Sequence, residues 1–244
     1  MAIDILIINP YDASTQFLTN IHIGLKAHFN DRLQYFEIKL NEGHHQECLD
    51  RIKHLSNDSL IIFMGHGSSI ALHGSKGDEF SPNVGWEEIA EFPELYFYKE
   101  SFISKSNIEV FKNKKVFCLS CNSNKEIANQ AFENGVKTFF GFGNIPSSKE
   151  EFIIEGETLA DDDLVSKMKS ELSFVITTSL TYCMLKGFSF KKLKNVIEFS
   201  INKKIAEYLI ENKDYDGRYI LANYLFRLKK GMMIFGDKDA KLIE

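Results

Sequence analysis

The feature that most constrains this chain is a run without a polar residue, Leu60-Ile61-Ile62-Phe63-Met64. A β-strand sends alternate side chains to opposite faces, so a strand that is apolar throughout must be covered on both. Such a strand belongs inside a parallel sheet with helices above and below it. Other short, mainly apolar runs read the same way: Ile3 to Ile8, closed by Asn9-Pro10, then Val116 to Leu119 and Val136 to Phe142.

Between these runs the hydrophobic period changes. From Asp12 to Phe29 the residues Phe17, Ile21, Leu25 and Phe29 recur every four positions, which predicts a helix with one buried stripe. Leu33 to Leu40 alternates as a strand, whereas Cys48 to Leu55 and Lys125 to Glu133 carry helical spacing. Beyond Pro146 the spacing predicts helices over Leu164 to Lys186, Phe190 to Asn212 and Tyr219 to Lys230, then a last short strand, Met232 to Phe235. Alternating strands and helices predict an α/β fold, a three-layer sandwich whose mostly parallel six-stranded sheet carries helices on both faces. The expected organisation is one domain over 1–244, with the strand-and-helix core in 1–145 and a mainly helical part in 146–244. A long polar stretch, Gly65 to Lys115, interrupts the pattern and reads as irregular surface structure with a hairpin near His73-Gly74. Stretches of that length inside a compact domain are functional or disordered.

Composition narrows the partners. Hydrophobic residues make up 44% and charged residues 26%, enough for a real core and against disorder. The net charge of -5 offers no overall positive field for a phosphate backbone or an anionic bilayer, so neither nucleic acid nor membrane is expected as a partner. No uncharged apolar segment approaches the ~20 residues that span a bilayer. The N-terminal residues carry neither a basic region nor a small-residue cleavage site, and a cytoplasmic location is expected. Cys48, Cys118, Cys121 and Cys183 are irregularly spaced, which favours reduced thiols over a disulfide framework.

In open parallel sheets the working residues stand just past the carboxyl ends of the strands. The third strand ends in Gly65-His66-Gly67 and the fourth in Leu119-Ser120-Cys121-Asn122. Adjacent strands lie about 4.8 Å apart, so neighbouring third and fourth strands would bring one imidazole and one thiol together at a single edge. A thiol of pKa near ~8.5 is only a few per cent ionised at neutral pH, and an imidazole beside it can take its proton. His66 is then the base, and afterwards the acid that protonates the leaving amine. The backbone N–H groups of Gly67 and Cys121, both at turns leaving strand ends, are the expected oxyanion donors.

These residues carry a family resemblance. The strand before Gly65-His66-Gly67, followed after a long insertion by Val116-Phe117-Cys118-Leu119-Ser120-Cys121, resembles the caspase-like cysteine proteases, the CHAT branch in particular. Of the two cysteines only Cys121 matches the family position at the strand's end. His66 and Cys121 lie 55 residues apart, close to the roughly 50-residue separation of the caspase pair. Asn134-Gly135-Val136 and Ile234-Phe235-Gly236-Asp237 are similar to segments in relatives at the same places. The resemblance implies a caspase-like fold and a cysteine endopeptidase acting on a protein or peptide substrate through a Cys121-His66 dyad, without cofactor or metal. It further implies limited, regulated cleavage of the kind used in bacterial antiviral defence, with control by a partner protein, by assembly or by self-processing. One departure stands out. Relatives commonly place a short residue and then glycine after the cysteine, whereas Asn122-Ser123-Asn124 follows here.

Other readings compete with this one. Cys118 and Cys121 have the Cys-x-x-Cys spacing of a zinc or redox pair, but a strand sends residues three apart to opposite faces and no second ligand pair follows. His22, His28, His44, His45, His54 and His73 share no spacing and read as surface or helix-face residues. Asp78-Glu79 and Asp161-Asp162-Asp163 read as solvated acids, with the alternative that one of them binds a basic residue before the scissile bond. Trp86, Phe92, Tyr96, Phe97 and Tyr98 read as packing for the long insertion. Against a peptidase stand a catalytically silent caspase-like scaffold and a flavodoxin-like binding domain. The latter would need a glycine-rich loop after the first strand, where Asn9-Pro10-Tyr11-Asp12-Ala13 has none.

Overall fold

A computed structural model describes residues 4–12, 14–39, 42–75, 101–154, 161–211 and 214–244. In chain order the main elements are β1 (Ile5–Pro10), α1 (Thr19–Phe29), β2 (Leu33–Ile38), α2 (Glu42–His54), β3 (Leu60–Met64), β4 (Ala71–His73), β5 (Ser101–Ser104) and β6 (Lys115–Leu119). They continue with α3 (Glu126–Glu133), β7 (Thr138–Gly141), α4 (Lys149–Ile154), α5 (Asp162–Leu185), α6 (Phe190–Ala206), α7 (Arg218–Gly231) and β8 (Met233–Gly236). Six strands form one sheet in the order β2-β1-β3-β6-β7-β8, parallel at every pairing except β7 with β8.

The period of two sorts the strand residues onto two cores. Ile5, Ile7, Ile62, Phe117 and Phe140 pack against α1, α5, α6 and α7. Leu6, Ile8, Ile61, Phe63 and Cys118 pack against α2, α3 and the turn at Ile108–Phe111. Helices therefore cover both faces, the three-layer α/β sandwich expected from the sequence. Each fully buried Leu, Ile or Phe side chain stabilises this arrangement by about 1.5–3 kcal/mol. Among the described residues no helix is long and apolar enough to cross a membrane.

Several boundaries differ from the sequence reading. α1 starts at Thr19 rather than Asp12, because the Asp12 carboxylate accepts hydrogen bonds from the Ser14 N–H and hydroxyl and holds the chain in a turn. α2 begins six residues before Cys48, in a polar first turn with no apolar period to reveal it. The long α6 changes to a π-turn at Glu207–Glu211 instead of continuing as α-helix. The short α4 was not anticipated. A strand does form at His73, but its partner is β5, almost thirty residues on, so the pairing is a long-range clasp and not a tight hairpin. Trp86, Phe92, Tyr96, Phe97, Tyr98, Asp78 and Glu79 lie outside the described residues.

Candidate active site

The sheet order makes β1, β3 and β6 consecutive neighbours, and their carboxyl ends share one edge. Met64 pairs with Leu119, and the Gly65 N–H reaches the Leu119 carbonyl at 3.2 Å. His66 and Cys121 each lie two residues past that last pair, and both line one narrow cavity of about 20 Å³.

The His66 loop folds back on itself. His73 donates its N–H to the His66 carbonyl at 3.0 Å, and Ser68 donates to the Ala71 carbonyl at 2.8 Å. Gly67 sits within this bend, tight against the cysteine loop: a Cβ there would lie 2.1 Å from Ser120 Oγ and 3.1 Å from the Ala71 carbonyl oxygen. Only glycine lets the two loops approach so closely. The Gly67 N–H makes no hydrogen bond to a described residue, whereas the Asn122 N–H is given to the Gly143 carbonyl at 2.9 Å.

The cysteine loop is fixed from below. Ser123 is buried, donates its hydroxyl toward the Cys118 and Ser120 carbonyls, and accepts the Phe142 N–H at 2.9 Å. Asn122 adopts φ 54°, the left-handed region that asparagine tolerates better than most residues, and so turns the chain directly after Cys121. The Cys121 thiol donates to the Ile145 carbonyl at 3.2 Å and accepts the Ile145 N–H at 3.4 Å.

A third strand end contributes a residue that the sequence reading missed. Asp12, two residues past β1, places Oδ1 3.2 Å from His66 Nε2, and Ser14 Oγ lies 2.8 Å from the same nitrogen. Both His66 and Asp12 are mostly buried, with side chains 13% and 18% exposed. Burial alone would raise the Asp12 carboxyl, but the hydrogen bond and charge of His66, with the Ser14 hydrogen bonds, hold it well below the usual carboxylate range. Asp12 is therefore a carboxylate and accepts only. The Ser14 hydroxyl gives its proton to Asp12 at 2.6 Å, so the network assigns a proton to Nε2 of His66 and leaves Nδ1 as the basic nitrogen.

The remaining cysteines are poor nucleophiles. Burial pushes the Cys48 and Cys118 thiols far above their ordinary value and Cys183 up to about 11. Cys118 packs in the core on one face of the sheet and Cys121 against the core on the other, so the Cys-x-x-Cys pair does not converge. One expectation needs correction. His73 is buried, at 5% exposure, and is not a surface residue. Asp161 is exposed, as expected, and also caps α5, accepting the Leu164 N–H at 2.7 Å.

The fold and the edge define an α/β sandwich with a carboxylate, an imidazole and a thiol delivered by three adjacent parallel strands. Compared with protein-family models, curated proteins and solved structures, the chain matches none.

Proposed function

We propose that the chain is a cysteine endopeptidase of the caspase-like group, with Cys121 as nucleophile and His66 as general base and acid. What carries the reading is the convergence of His66 and Cys121 on one cavity at the sheet's carboxyl edge, with Asp12 bound to Nε2 of the imidazole. In the proposed reaction His66 Nδ1 takes the Cys121 proton and the sulfur attacks the scissile carbonyl. The Gly67 and Cys121 amides hold the oxyanion, and the imidazolium returns its proton to the leaving amine. Water then hydrolyses the thioester with His66 again as base, and Asp12 stabilises the imidazolium at each stage. The thiol must first leave the Ile145 backbone, which substrate entry would bring about. No cofactor or metal takes part in this scheme. The proposed setting, a cytoplasmic protease making limited cuts in a protein partner under the control of a regulatory protein, as in bacterial antiviral defence, rests on the family resemblance.

Digestion of a peptide library tests the proposal: the parent chain should cleave and Cys121→Ala should not, with the far-UV spectrum unchanged. Cleavage by Cys121→Ala at the parent's rate would refute it. The double hydrogen bond between the Cys121 thiol and Ile145 favours a second reading, a silent caspase-like scaffold. Iodoacetamide separates the two, since an active site labels Cys121 far faster than Cys48, and a silent one labels both slowly.

A further inference from the structure

We infer that the substrate residue immediately before the cleaved bond is small and uncharged, alanine or serine in preference to lysine, arginine or aspartate. This rests on the peptidase reading of Cys121 and His66. The cavity they share is walled by Phe17, Leu18, Leu119, Ile145 and Leu172, and among the described residues His66 is the only ionisable side chain in that wall besides the Cys121 thiol. A charged side chain entering it would lose its water and meet no carboxylate or ammonium among the described residues of that wall, the Lys169 ammonium standing over the Phe17 ring outside the lining. The nearby acids are already committed: Asp12 to His66 and Ser14, and Glu151 Oε2 to the Ser147 N–H and hydroxyl.

Size narrows the occupant further. A cavity of about 20 Å³ admits roughly one water or one methyl group. Leu18, Leu119 and Leu172 are 3%, 2% and 0% exposed and locked in close-packed surroundings, so the wall does not yield readily to a branched or aromatic side chain. Serine is uncharged and close to alanine in size, which admits it beside alanine.

The test is kcat/KM on matched peptides carrying alanine, serine, leucine, lysine or aspartate at that position, chosen around a site cut in the library digest. Alanine and serine should lead, with lysine and aspartate lower by at least about 100-fold. Opening the wall with Phe17→Ala, a partly buried position, should raise leucine relative to alanine by roughly 10-fold. Faster cleavage after lysine, arginine or aspartate would overturn the inference while leaving the peptidase reading standing. An unchanged leucine-to-alanine ratio in a folded Phe17→Ala would also overturn it. Failure of the parent to cut any peptide would overturn both.

Discussion

Replacing Gly67 with alanine probes the contact between the histidine and cysteine loops. The new methyl would lie 2.1 Å from Ser120 Oγ, 3.1 Å from the Ala71 carbonyl oxygen and 3.4 Å from Ser120 Cβ. The last contact is ordinary and the second asks for a few tenths of an ångström. The first cannot stand. Ser120 is buried, so its hydroxyl must be driven from its present position and the loops pushed apart, at about 2 kcal/mol by comparison with other overpacked sites. For a chain of this size that is a fall in Tm of about 4–8 °C by calorimetry. The same separation moves His66 away from Cys121, and a displacement approaching 1 Å costs roughly 100-fold in turnover. Ser120→Ala alone removes a hydroxyl that has no partner and should be neutral or slightly stabilising. Combined with Gly67→Ala it should restore at least about 1 kcal/mol, a coupling typical of residues in contact. A Gly67→Ala chain as stable as its parent, or one that Ser120→Ala fails to rescue, would refute the interlocked edge.

Two further substitutions test the surroundings. Asp12→Asn should lower kcat by about 100-fold with KM little changed, since it touches the base and not the substrate. The folded carboxyl titrates below its ordinary value of 3.8, so its stabilisation is complete above that value and is lost as pH falls beneath it. The urea-measured stability gap between parent and Asp12→Asn should therefore narrow between about pH 5 and pH 3, and a gap that widens there contradicts the pairing. Asp161→Ala should cost about 1 kcal/mol through loss of the α5 cap, whereas Asp162→Ala and Asp163→Ala should each stay within about 0.5 kcal/mol; equal effects at all three would remove the cap from the account.

Much of the fold was legible because its strands are short and saturated with apolar residues. Leu60–Met64 could only be an interior strand, and its neighbours β1 and β6 announced themselves by the same composition. What escaped detection was polar or local. The first turn of α2 carries Gly43, His44 and His45 and shows no hydrophobic period. β4 and β5 pair across a separation no local pattern encodes. Asp12 was hidden by the four-residue spacing that begins at Phe17, which drew the helix back over a turn that Asp12 itself stabilises. The rule that located His66 and Cys121 beyond β3 and β6 also applies to β1, and following it past Pro10 would have found Asp12 two residues on. The Ile145 contact with Cys121 had no signal in the sequence, because it is made by backbone atoms that any residue would supply.

The central claim is that an imidazole and a sulfur act as one unit at this edge, and alkylation of Cys121 by iodoacetamide across a pH series measures it without knowledge of the substrate. Rapid labelling should persist to mildly acid pH in the parent and retreat to alkaline pH in His66→Ala. Superimposable profiles for the two chains would contradict it.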